Sequence, residues 1–308
     1  MAAPGIALAP FAEDGFVAAV RDAGGRVVEP EDADGLVWTN PADPEGLKET
    51  LATSPARWVQ LPFAGIESFA EAGAIDPNRT WTCAKGIYGP ACAEHALALM
   101  LAAARFIHHH ARNRKWEPAG MGRPEVRLDG KTLVVFGTGG IGRALVPMVT
   151  PLGARVVGVN RSGRPLEGAL ATVTADRLLE VAGRADYLVL AAAVTRETIG
   201  VVDAQVLEAL PDHAWIVNVA RGALIDTPAL VDALRTGAVA GAALDVTEPE
   251  PLPDGHPLWE LDNAIITPHV ANTWDMALPE LTRLVARNVA HFAAGRELEG
   301  LVDVEAGY

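Results

Sequence analysis

The chain has few cysteines, a deficit of positive charge and no long hydrophobic run. Its two cysteines, Cys83 and Cys92, form no C-x-x-C motif, so they predict reduced, structural thiols and exclude a disulfide-stabilised scaffold. The 25 Lys+Arg residues against 39 Asp+Glu residues give a formal net charge of −14. A field of this sign opposes binding to nucleic acid or to an anionic membrane surface.

Neither a membrane span nor a secretory signal is evident in the chain. Its longest apolar run, 96–104, is too short to cross a bilayer. The first residues lack the basic segment of a signal peptide. We therefore expect a cytoplasmic protein without membrane contact. Half of its 308 residues are hydrophobic, and this length suits two domains.

Strand-like and helix-like stretches alternate along the chain. Up to about residue 90, apolar runs at 6–9, 35–38 and 58–61 predict a small α/β domain. Residues 91–110, rich in Ala, Leu and Met, predict one long helix that could bridge two domains. Residues 277–294 predict a final helix. A doubly wound sheet is indicated by six predicted strands near 132–136, 155–159, 187–192, 215–219, 240–245 and 264–267.

A glycine-rich turn follows the first of these six strands. It reads Gly137-Thr138-Gly139-Gly140-Ile141-Gly142. In this G-x-G-x-x-G pattern the first glycine permits a tight turn, the second lets a pyrophosphate approach the backbone, and the third lets the helix pack on the strand. Glycine-rich turns also arise for backbone reasons alone, but the apolar strands on either side predict a dinucleotide site. Pro147 is expected to kink the helix after the turn, at a cost of about 3 kcal/mol.

Three polar side chains stand beyond the ends of three other predicted strands. They are Arg221, Glu250 and His269. Ligands of open α/β sheets bind at this edge. A guanidinium can bind a carboxylate and polarise the adjacent carbonyl, while an imidazole oriented by a carboxylate can donate a proton as hydride arrives. The set therefore suits the reduction of a 2-oxo acid by a nicotinamide.

Structural interpretations of the same residues stay open. Arg221 could pair with Asp226, Glu250 could belong to an acidic turn, and His269 could be a satisfied histidine beside a proline. Asp245 could cap the next turn. The three histidines at 108–110 cannot converge on one ion from consecutive helical positions, so we expect no metal site. For Glu94 and His95 at the start of the long helix a structural role is favoured.

Several ordered motifs resemble the D-isomer-specific 2-hydroxyacid dehydrogenase family, which includes glyoxylate/hydroxypyruvate reductases and phosphoglycerate dehydrogenases. The resemblance covers nearly the whole chain. The motifs are Gly86-Ile87-Tyr88, Ala93-Glu94-His95, Gly130-Lys131-Thr132, Asn218-Val219-Ala220-Arg221-Gly222, Gly241-Ala242-Ala243-Leu244-Asp245-Val246, Glu250-Pro251-Leu252 and Thr267-Pro268-His269.

The resemblance implies a role for each site residue. Arg221 would bind substrate, Glu250 would be the partner of the histidine, and His269 would be the general acid/base. Asp245 would hold the nicotinamide amide. Further cofactor contacts are implied for Ala192, Ala193 and Ala220, and the substrate carboxylate would be bound by the loop of Phe63, Ala64 and Gly65.

The fold implied by the resemblance has two domains. A Rossmann nucleotide-binding domain would span 94–277. A smaller flavodoxin-like α/β substrate domain would span 1–93 and be completed by 278–308, with the active site in the cleft between the two domains. A homodimer would form through the bridging helix, and the loop with Trp116 and Met121 would reach a partner subunit's active site.

Two departures from the family pattern bear on the cofactor. Where NAD-using members carry an acidic residue after the second strand, this chain reads Asn160-Arg161-Ser162-Gly163-Arg164. The two arginines and Ser162 could bind a 2′-phosphate, so NADP(H) is favoured, with NAD(H) possible. Ala193 takes the place of a proline, for which we expect a small change in a cofactor-contacting loop.

The functional hypothesis is a reductase of small 2-oxo acids such as glyoxylate or hydroxypyruvate. The alternative enzyme is a phosphoglycerate dehydrogenase. From another class, the alternative is a dinucleotide-sensing binding protein resembling the family's corepressors. The complete set of Arg221, Glu250 and His269 favours chemistry over sensing.

Overall fold

The computed structural model describes residues 2–116 and 125–304. The chain divides into two units, one of Met1–Tyr88 with Trp274–Tyr308 and one of Gly89–Thr273. The predicted domain limits at 93 and 278 lie a few residues beyond these divisions. Met121 and most of its loop, for which contact with a partner subunit was predicted, lie outside the described residues.

The first unit is built on a parallel sheet of five described strands in the order β2-β1-β3-β4-β5, which is the flavodoxin-like order. The strands are β1 (Gly5–Ala9), β2 (Arg26–Val27), β3 (Gly35–Trp38), β4 (Trp58–Gln60) and β5 (Thr80–Thr82). The helices before residue 89 are α1 (Asp14–Asp22), α2 (Pro44–Thr53) and α3 (Glu67–Glu71). The three predicted apolar runs are confirmed as β1, β3 and β4.

The second unit holds a parallel sheet of seven described strands. Its helices are α4 (Gly89–Ala104), α5 (Ile107–Asn113), α6 (Gly140–Val149), α7 (Leu178–Ala182), α8 (Ala204–Ala209) and α9 (Thr227–Thr236). Its strands are β6 (Thr132–Phe136), β7 (Arg155–Asn160), β8 (Ala171–Thr174), β9 (Tyr187–Leu190), β10 (Trp215–Asn218), β11 (Gly241–Leu244) and β12 (Ala264–Ile266).

The strand order β12-β11-β10-β9-β6-β7-β8 reverses between β6 and β9, so the predicted doubly wound Rossmann sheet is confirmed. All six predicted strands are present. The seventh, β8, is a short edge strand with one exposed and three half-buried residues. This exposure explains why no apolar run marked it in the sequence.

The prediction of one long helix over 91–110 is wrong. Phe106 adopts a left-handed backbone conformation with φ of 48°, which an α-helix cannot continue. The chain therefore forms α4 and α5, bent by 64°. Beyond the bend, the ring of His108 packs edge-to-face on Trp215 at 5.7 Å, and His109 and His110 are exposed.

No single helix among the described residues has the length and apolarity to cross a membrane. The bent pair α4 and α5 meets both criteria only when the two helices are taken together. Most of the apolar face of α4 is buried in the core of its unit, including Ala96, Leu99 and Met100.

Pro147 lies inside α6, as predicted, in its last turn. The carbonyl that loses its helical partner is that of Arg143, four residues earlier. Both residues are exposed, so water can take the missing hydrogen bond. The helix ends two residues after the proline, at Val149, which limits what the proline disrupts.

The first unit is completed by the predicted C-terminal helix, α10 (Trp274–Ala293), which packs on α1. The side chain of Asn288, buried on α10, donates to Gln60 Oε1 (2.9 Å) and to the Glu299 carbonyl (3.0 Å). Gln60 Oε1 also accepts from the Thr82 hydroxyl (2.8 Å). All three side chains are fully buried, so this network fixes α10 to β4 and β5.

Candidate active site

The glycine-rich turn has the geometry of a phosphate cradle. Gly137 has φ of 102°, and a Cβ atom there would lie 2.4 Å from the backbone of Ala191 and Ala192. A Cβ on Gly142 would lie 2.5 Å from the Gly137 carbonyl oxygen. A Cβ on Gly139 would meet nothing within 4 Å, so open space lies over the amino end of α6, where a pyrophosphate binds. The turn therefore fits a dinucleotide.

A matched pair of alanine substitutions separates cofactor binding from folding at this turn. Gly139→Ala should lower the free energy of unfolding by less than Gly142→Ala does, because its Cβ would meet no atom within 4 Å, and it should raise the Kd of the dinucleotide by about tenfold or more. Gly142→Ala should lower the unfolding free energy by about 1–3 kcal/mol through overpacking. Calorimetric titration and chemical denaturation measure the two effects. Equal losses of stability would contradict this division.

The loop after β7 is held in one conformation by the side chain of Asn160. Asn160 Nδ2 donates to Thr138 Oγ1 (2.7 Å) and to the Arg164 carbonyl (2.9 Å). Asn160 Oδ1 accepts from the backbone N–H of Ser162 (3.1 Å). Arg161, Ser162 and Arg164 are exposed. The position that carries an acidic residue in NAD-using relatives here organises a loop with two guanidinium groups.

The loop after β9 lies against the glycine-rich turn. Its residue Ala192 is part of the backbone on which Gly137 packs. Ala193, which replaces the family's proline, is exposed, and its carbonyl accepts a hydrogen bond from the Thr198 hydroxyl (2.8 Å). Side-chain hydrogen bonds thus order this loop without the proline.

Arg221 is placed by the fully buried Asn218 at the end of β10. Asn218 Nδ2 donates to the Arg221 carbonyl (2.8 Å), and Asn218 Oδ1 accepts from the N–H of Ala220 (3.0 Å). The guanidinium itself donates to the Ala220 carbonyl (2.7 Å). Asp226, the alternative partner considered for Arg221, caps α9 through the N–H of Ala229.

The residue after Arg221 brings two loops together. A Cβ on Gly222 would lie 2.0 Å from the carbonyl carbon and oxygen of Thr247. Only glycine allows this approach between the chain after β10 and the chain after β11. The contact draws Arg221 toward the segment that carries Glu250.

Glu250 and His269 form an ion pair, with 2.6 Å between Glu250 Oε1 and His269 Nδ1. The hydrogen bond that His269 Nδ1 donates to Glu250 raises the pKa of His269 above its usual 6.5, although burial and the charge of Arg221 act in the opposite direction. The hydrogen bond from His269 lowers the pKa of Glu250. Because Nδ1 faces the carboxylate, Nε2 is the nitrogen that can serve a substrate.

His269 has a strained backbone, with φ of 53°. Its N–H donates to the Asp245 carbonyl (2.8 Å) and to the Thr267 carbonyl (3.0 Å). Non-glycine residues in this left-handed region are uncommon and persist where their surroundings hold them. The imidazole therefore projects from a conformation that the neighbouring backbone imposes.

The Asp245 carboxylate is enclosed by the loop that follows β12. Its side chain has no exposed surface, and it accepts from the Thr267 hydroxyl (2.6 Å) and the N–H groups of Val270 and Ala271 (both 2.9 Å). Burial alone would raise the pKa of Asp245, but these bonds and one from His95 lower it to about 2. These bonds go to the loop after β12 and not to the turn that follows Asp245 in sequence, which was the capping role considered for it. Its contact with nicotinamide stays a prediction.

The predicted substrate loop belongs to the first unit. Phe63 packs edge-to-face on Tyr88 at 6.1 Å and on Trp274 at 6.0 Å. The Tyr88 hydroxyl donates to the Pro62 carbonyl (2.7 Å). Ala64 is exposed and Gly65 is partly exposed. That their N–H groups bind a carboxylate stays a prediction.

The supporting roles of Asn218, Gly222 and Thr267 were not predicted from the sequence, and for His95 only a general structural role was predicted. Each of the first three lies within two residues of a predicted site residue, which was the available signal. His95 lies far away in sequence, at the start of α4, and its contact with Thr267 spans 172 positions. Nothing local in the sequence indicates such a contact.

The chain is similar to known proteins over its length. The family model for D-isomer specific 2-hydroxyacid dehydrogenase, NAD binding domain, matches residues 97–271. An uncharacterized protein in the proB 3′ region of Corynebacterium melassecola is 41% identical over 300 residues, covering 94% of this chain and 95% of that protein. A glyoxylate reductase of Pyrococcus furiosus is 34% identical over 223 residues, covering 70% of this chain and 66% of the relative.

A solved structure has the same fold. The D-isomer specific 2-hydroxyacid dehydrogenase from Xanthobacter autotrophicus Py2, in complex with NADPH and MES, superimposes with a TM-score of 0.85 and 27% identity, and the match covers 100% of both chains. The family match covers more than half of this chain. This chain therefore belongs to the D-isomer specific 2-hydroxyacid dehydrogenases, which are NAD(P)-dependent oxidoreductases.

Proposed function

We propose that this enzyme reduces small 2-oxo acids to D-2-hydroxy acids with NADPH, using His269 as the general acid. The observation that carries the proposal is the 2.6 Å pair of His269 and Glu250, at the sheet edge that also holds Arg221. These residues follow the three adjacent strands β12, β11 and β10. Adjacent strands bring their carboxyl ends together, so the three side chains share one edge.

The chemistry follows from the charges of these groups. Arg221 binds the substrate carboxylate and polarises the neighbouring carbonyl. When bound, a nicotinamide would supply the hydride that the carbonyl carbon receives. As the C–O π bond breaks, the carbonyl oxygen takes the proton from His269 Nε2 and becomes a hydroxyl. The Glu250 carboxylate stabilises the protonated imidazole before this transfer, and His269 then regains a proton from solvent.

The loop after β7 supports the choice of NADPH. With no carboxylate at Asn160, nothing at that position repels a 2′-phosphate. The exposed guanidinium groups of Arg161 and Arg164 can bind this phosphate, and the Ser162 hydroxyl can donate to it. Asn160 holds the loop in place before the cofactor arrives, which reduces the entropy lost on binding.

Removing both arginines should reverse the cofactor preference. In an Arg161→Ala/Arg164→Ala protein, kcat/KM for NADPH should fall by about tenfold to a hundredfold, because each exposed guanidinium contributes about 1 kcal/mol, less than a buried charge-assisted hydrogen bond. The kcat/KM for NADH should change little, since NADH lacks the phosphate. Steady-state kinetics with each cofactor at saturating oxo acid measure both values. An equal loss with the two cofactors would contradict the proposed phosphate site.

The substrate proposal is glyoxylate or hydroxypyruvate. One spectrophotometric plate tests it at 340 nm, with NADPH or NADH and a panel of glyoxylate, hydroxypyruvate, pyruvate, phenylpyruvate and phosphohydroxypyruvate. Preference for the phosphorylated acid would favour the phosphoglycerate dehydrogenase alternative. Binding of dinucleotide with no turnover on any acid would favour a sensor.

Arg221→Ala is the companion variant for this plate. Loss of the bidentate carboxylate contact should lower kcat/KM on the best substrate by about a hundredfold or more. A variant that kept most of the wild-type activity would contradict the role proposed for Arg221.

A homodimer and a cytoplasmic location are part of the same proposal. Measuring the mass of the protein in solution tests the homodimer.

A further inference from the structure

His95 lies on α4 and reaches the active-site loop of its own unit. Its Nε2 atom lies 3.0 Å from Thr267 Oγ1 and 3.2 Å from Asp245 Oδ1. The Thr267 hydroxyl donates its proton to Asp245 Oδ1 (2.6 Å), so its oxygen accepts. A carboxylate also only accepts. His95 Nε2 therefore carries a proton and donates it to both atoms.

The loop that His95 contacts is the one that sets the conformation of His269. Asp245 accepts three backbone hydrogen bonds from this loop. The His269 N–H donates to the Asp245 carbonyl, and the N–H groups of Val270 and Ala271 donate to the carboxylate. The left-handed backbone of His269, with φ of 53°, depends on these bonds.

We propose that His95 is a positioning residue for the reduction, which holds Asp245 and Thr267 in the arrangement that presents His269 to Glu250. The inference rests on the proposed function of His269 as the general acid. No substrate contact is assigned to His95. It acts through two intermediaries, Asp245 and Thr267. Among residues 2–116 and 125–304, it is the donor to the Asp245 carboxylate that comes from outside the 267–271 loop.

The consequence falls on the proton affinity of His269. The titratable groups that act on this imidazole are Glu250, Arg221 and Asp245. Its pKa is raised most by the hydrogen bond that it donates to Glu250, and a bond of 2.6 Å requires accurate alignment. If the loop loses its anchor on α4, that alignment weakens and the pKa of His269 moves down.

Three variants test the proposal. His95→Leu removes the donor at similar volume, His95→Gln keeps an N–H donor in about the place of Nε2, and Thr267→Val removes the hydroxyl between His95 and Asp245. The first readout is the pKa of His269, from NMR titration of its imidazole in the purified protein without substrate. The second is the pH dependence of kcat for oxo-acid reduction.

The expected result is a graded pattern. In His95→Leu the pKa of His269 falls, the high-pH limb of kcat moves to lower pH, and kcat drops by about tenfold to a hundredfold, because small misplacements of a catalytic group are costly. His95→Gln should keep most of the wild-type kcat and most of the wild-type pKa of His269. In the double variant His95→Leu/Thr267→Val, the loss of transition-state stabilisation should be smaller than the sum of the losses in the two single variants.

Two outcomes would overturn the proposal. One is a His95→Leu protein that folds and keeps the wild-type pKa of His269. The other is a fall in kcat with no shift of the pH limb, which is what a purely structural role predicts. His109→Leu, at an exposed position on α5, is the matched control. The NMR titration needs no turnover, so it tests the role of His95 even if the protein does not reduce 2-oxo acids.

Discussion

Replacing His269 by glutamine is expected to lower kcat for oxo-acid reduction by about 10²–10⁴-fold, the usual contribution of a general acid. Glutamine can still donate a hydrogen bond to a carbonyl, but it cannot transfer the proton that the product hydroxyl requires. The Kd of the dinucleotide should change little, because the glycine-rich turn is intact. Stopped-flow single turnovers and equilibrium titration measure the two quantities.

The pH dependence of kcat tests the same role of His269. Reduction consumes the protonated form of His269, and the hydrogen bond that this imidazole donates to Glu250 raises its pKa above 6.5. Activity should therefore persist above pH 6.5 and fall as pH rises through the raised pKa. Glu250→Gln should move this fall to lower pH.

His291→Gln is the matched control, because His291 is a partly exposed residue of α10 that interacts with the Glu297 carbonyl. It should leave the kinetics unchanged. A His269→Gln protein within tenfold of the wild-type kcat would remove His269 from the mechanism. The same would hold if its residual activity kept the wild-type pH limb.

Gly222→Ala is expected to have the second large effect. The new Cβ would lie 2.0 Å from the Thr247 carbonyl atoms, and backbone cannot yield as a flexible side chain can. Overpacking of this kind costs about 1–3 kcal/mol and occasionally more, and we expect the upper end. Since the displaced chain leads to Glu250, activity should fall further than stability alone predicts. Urea denaturation and kcat on the same preparation measure both.

The control for this substitution is Gly183→Ala in the same unit, where the nearest atom, the Ala209 carbonyl oxygen, lies at an ordinary 3.4 Å. Its free energy of unfolding should stay within about 0.5 kcal/mol of wild type. If Gly222→Ala were equally well tolerated, the two loops would not depend on the close approach between Gly222 and Thr247.

Much of the fold could be predicted because it is encoded locally. The strands of the second unit are nearly continuous apolar runs, as strands buried on both faces must be, and the glycine-rich turn carries its own spacing. The edge strand β8 and the bend at Phe106 could not be predicted. Half-buried residues give no apolar run, and a left-handed phenylalanine has no sequence signal.

The features of the candidate site likewise divide into those that the sequence predicts and those that it does not. Arg221, Glu250 and His269 follow strand ends, so the rule for open α/β sheets locates them from the sequence alone. The enclosure of Asp245 depends on the path of the loop after β12, and its contact with His95 depends on how α4 lies beside that loop. Both result from tertiary packing between distant segments, which no local pattern records.

The first unit is made of two chain segments that are far apart in sequence, and this has a consequence for biosynthesis. The first unit is interrupted in the chain, so α10 leaves the ribosome only after the whole second unit. Until then, the surfaces of Phe16 and Val20 that pack in one core with Leu281 and Val285 have no cover. Domains generally fold as they are made, and exposed apolar surface promotes aggregation meanwhile. The second unit, continuous in sequence, can therefore fold first, while the amino-terminal residues must wait for the last helix to be translated.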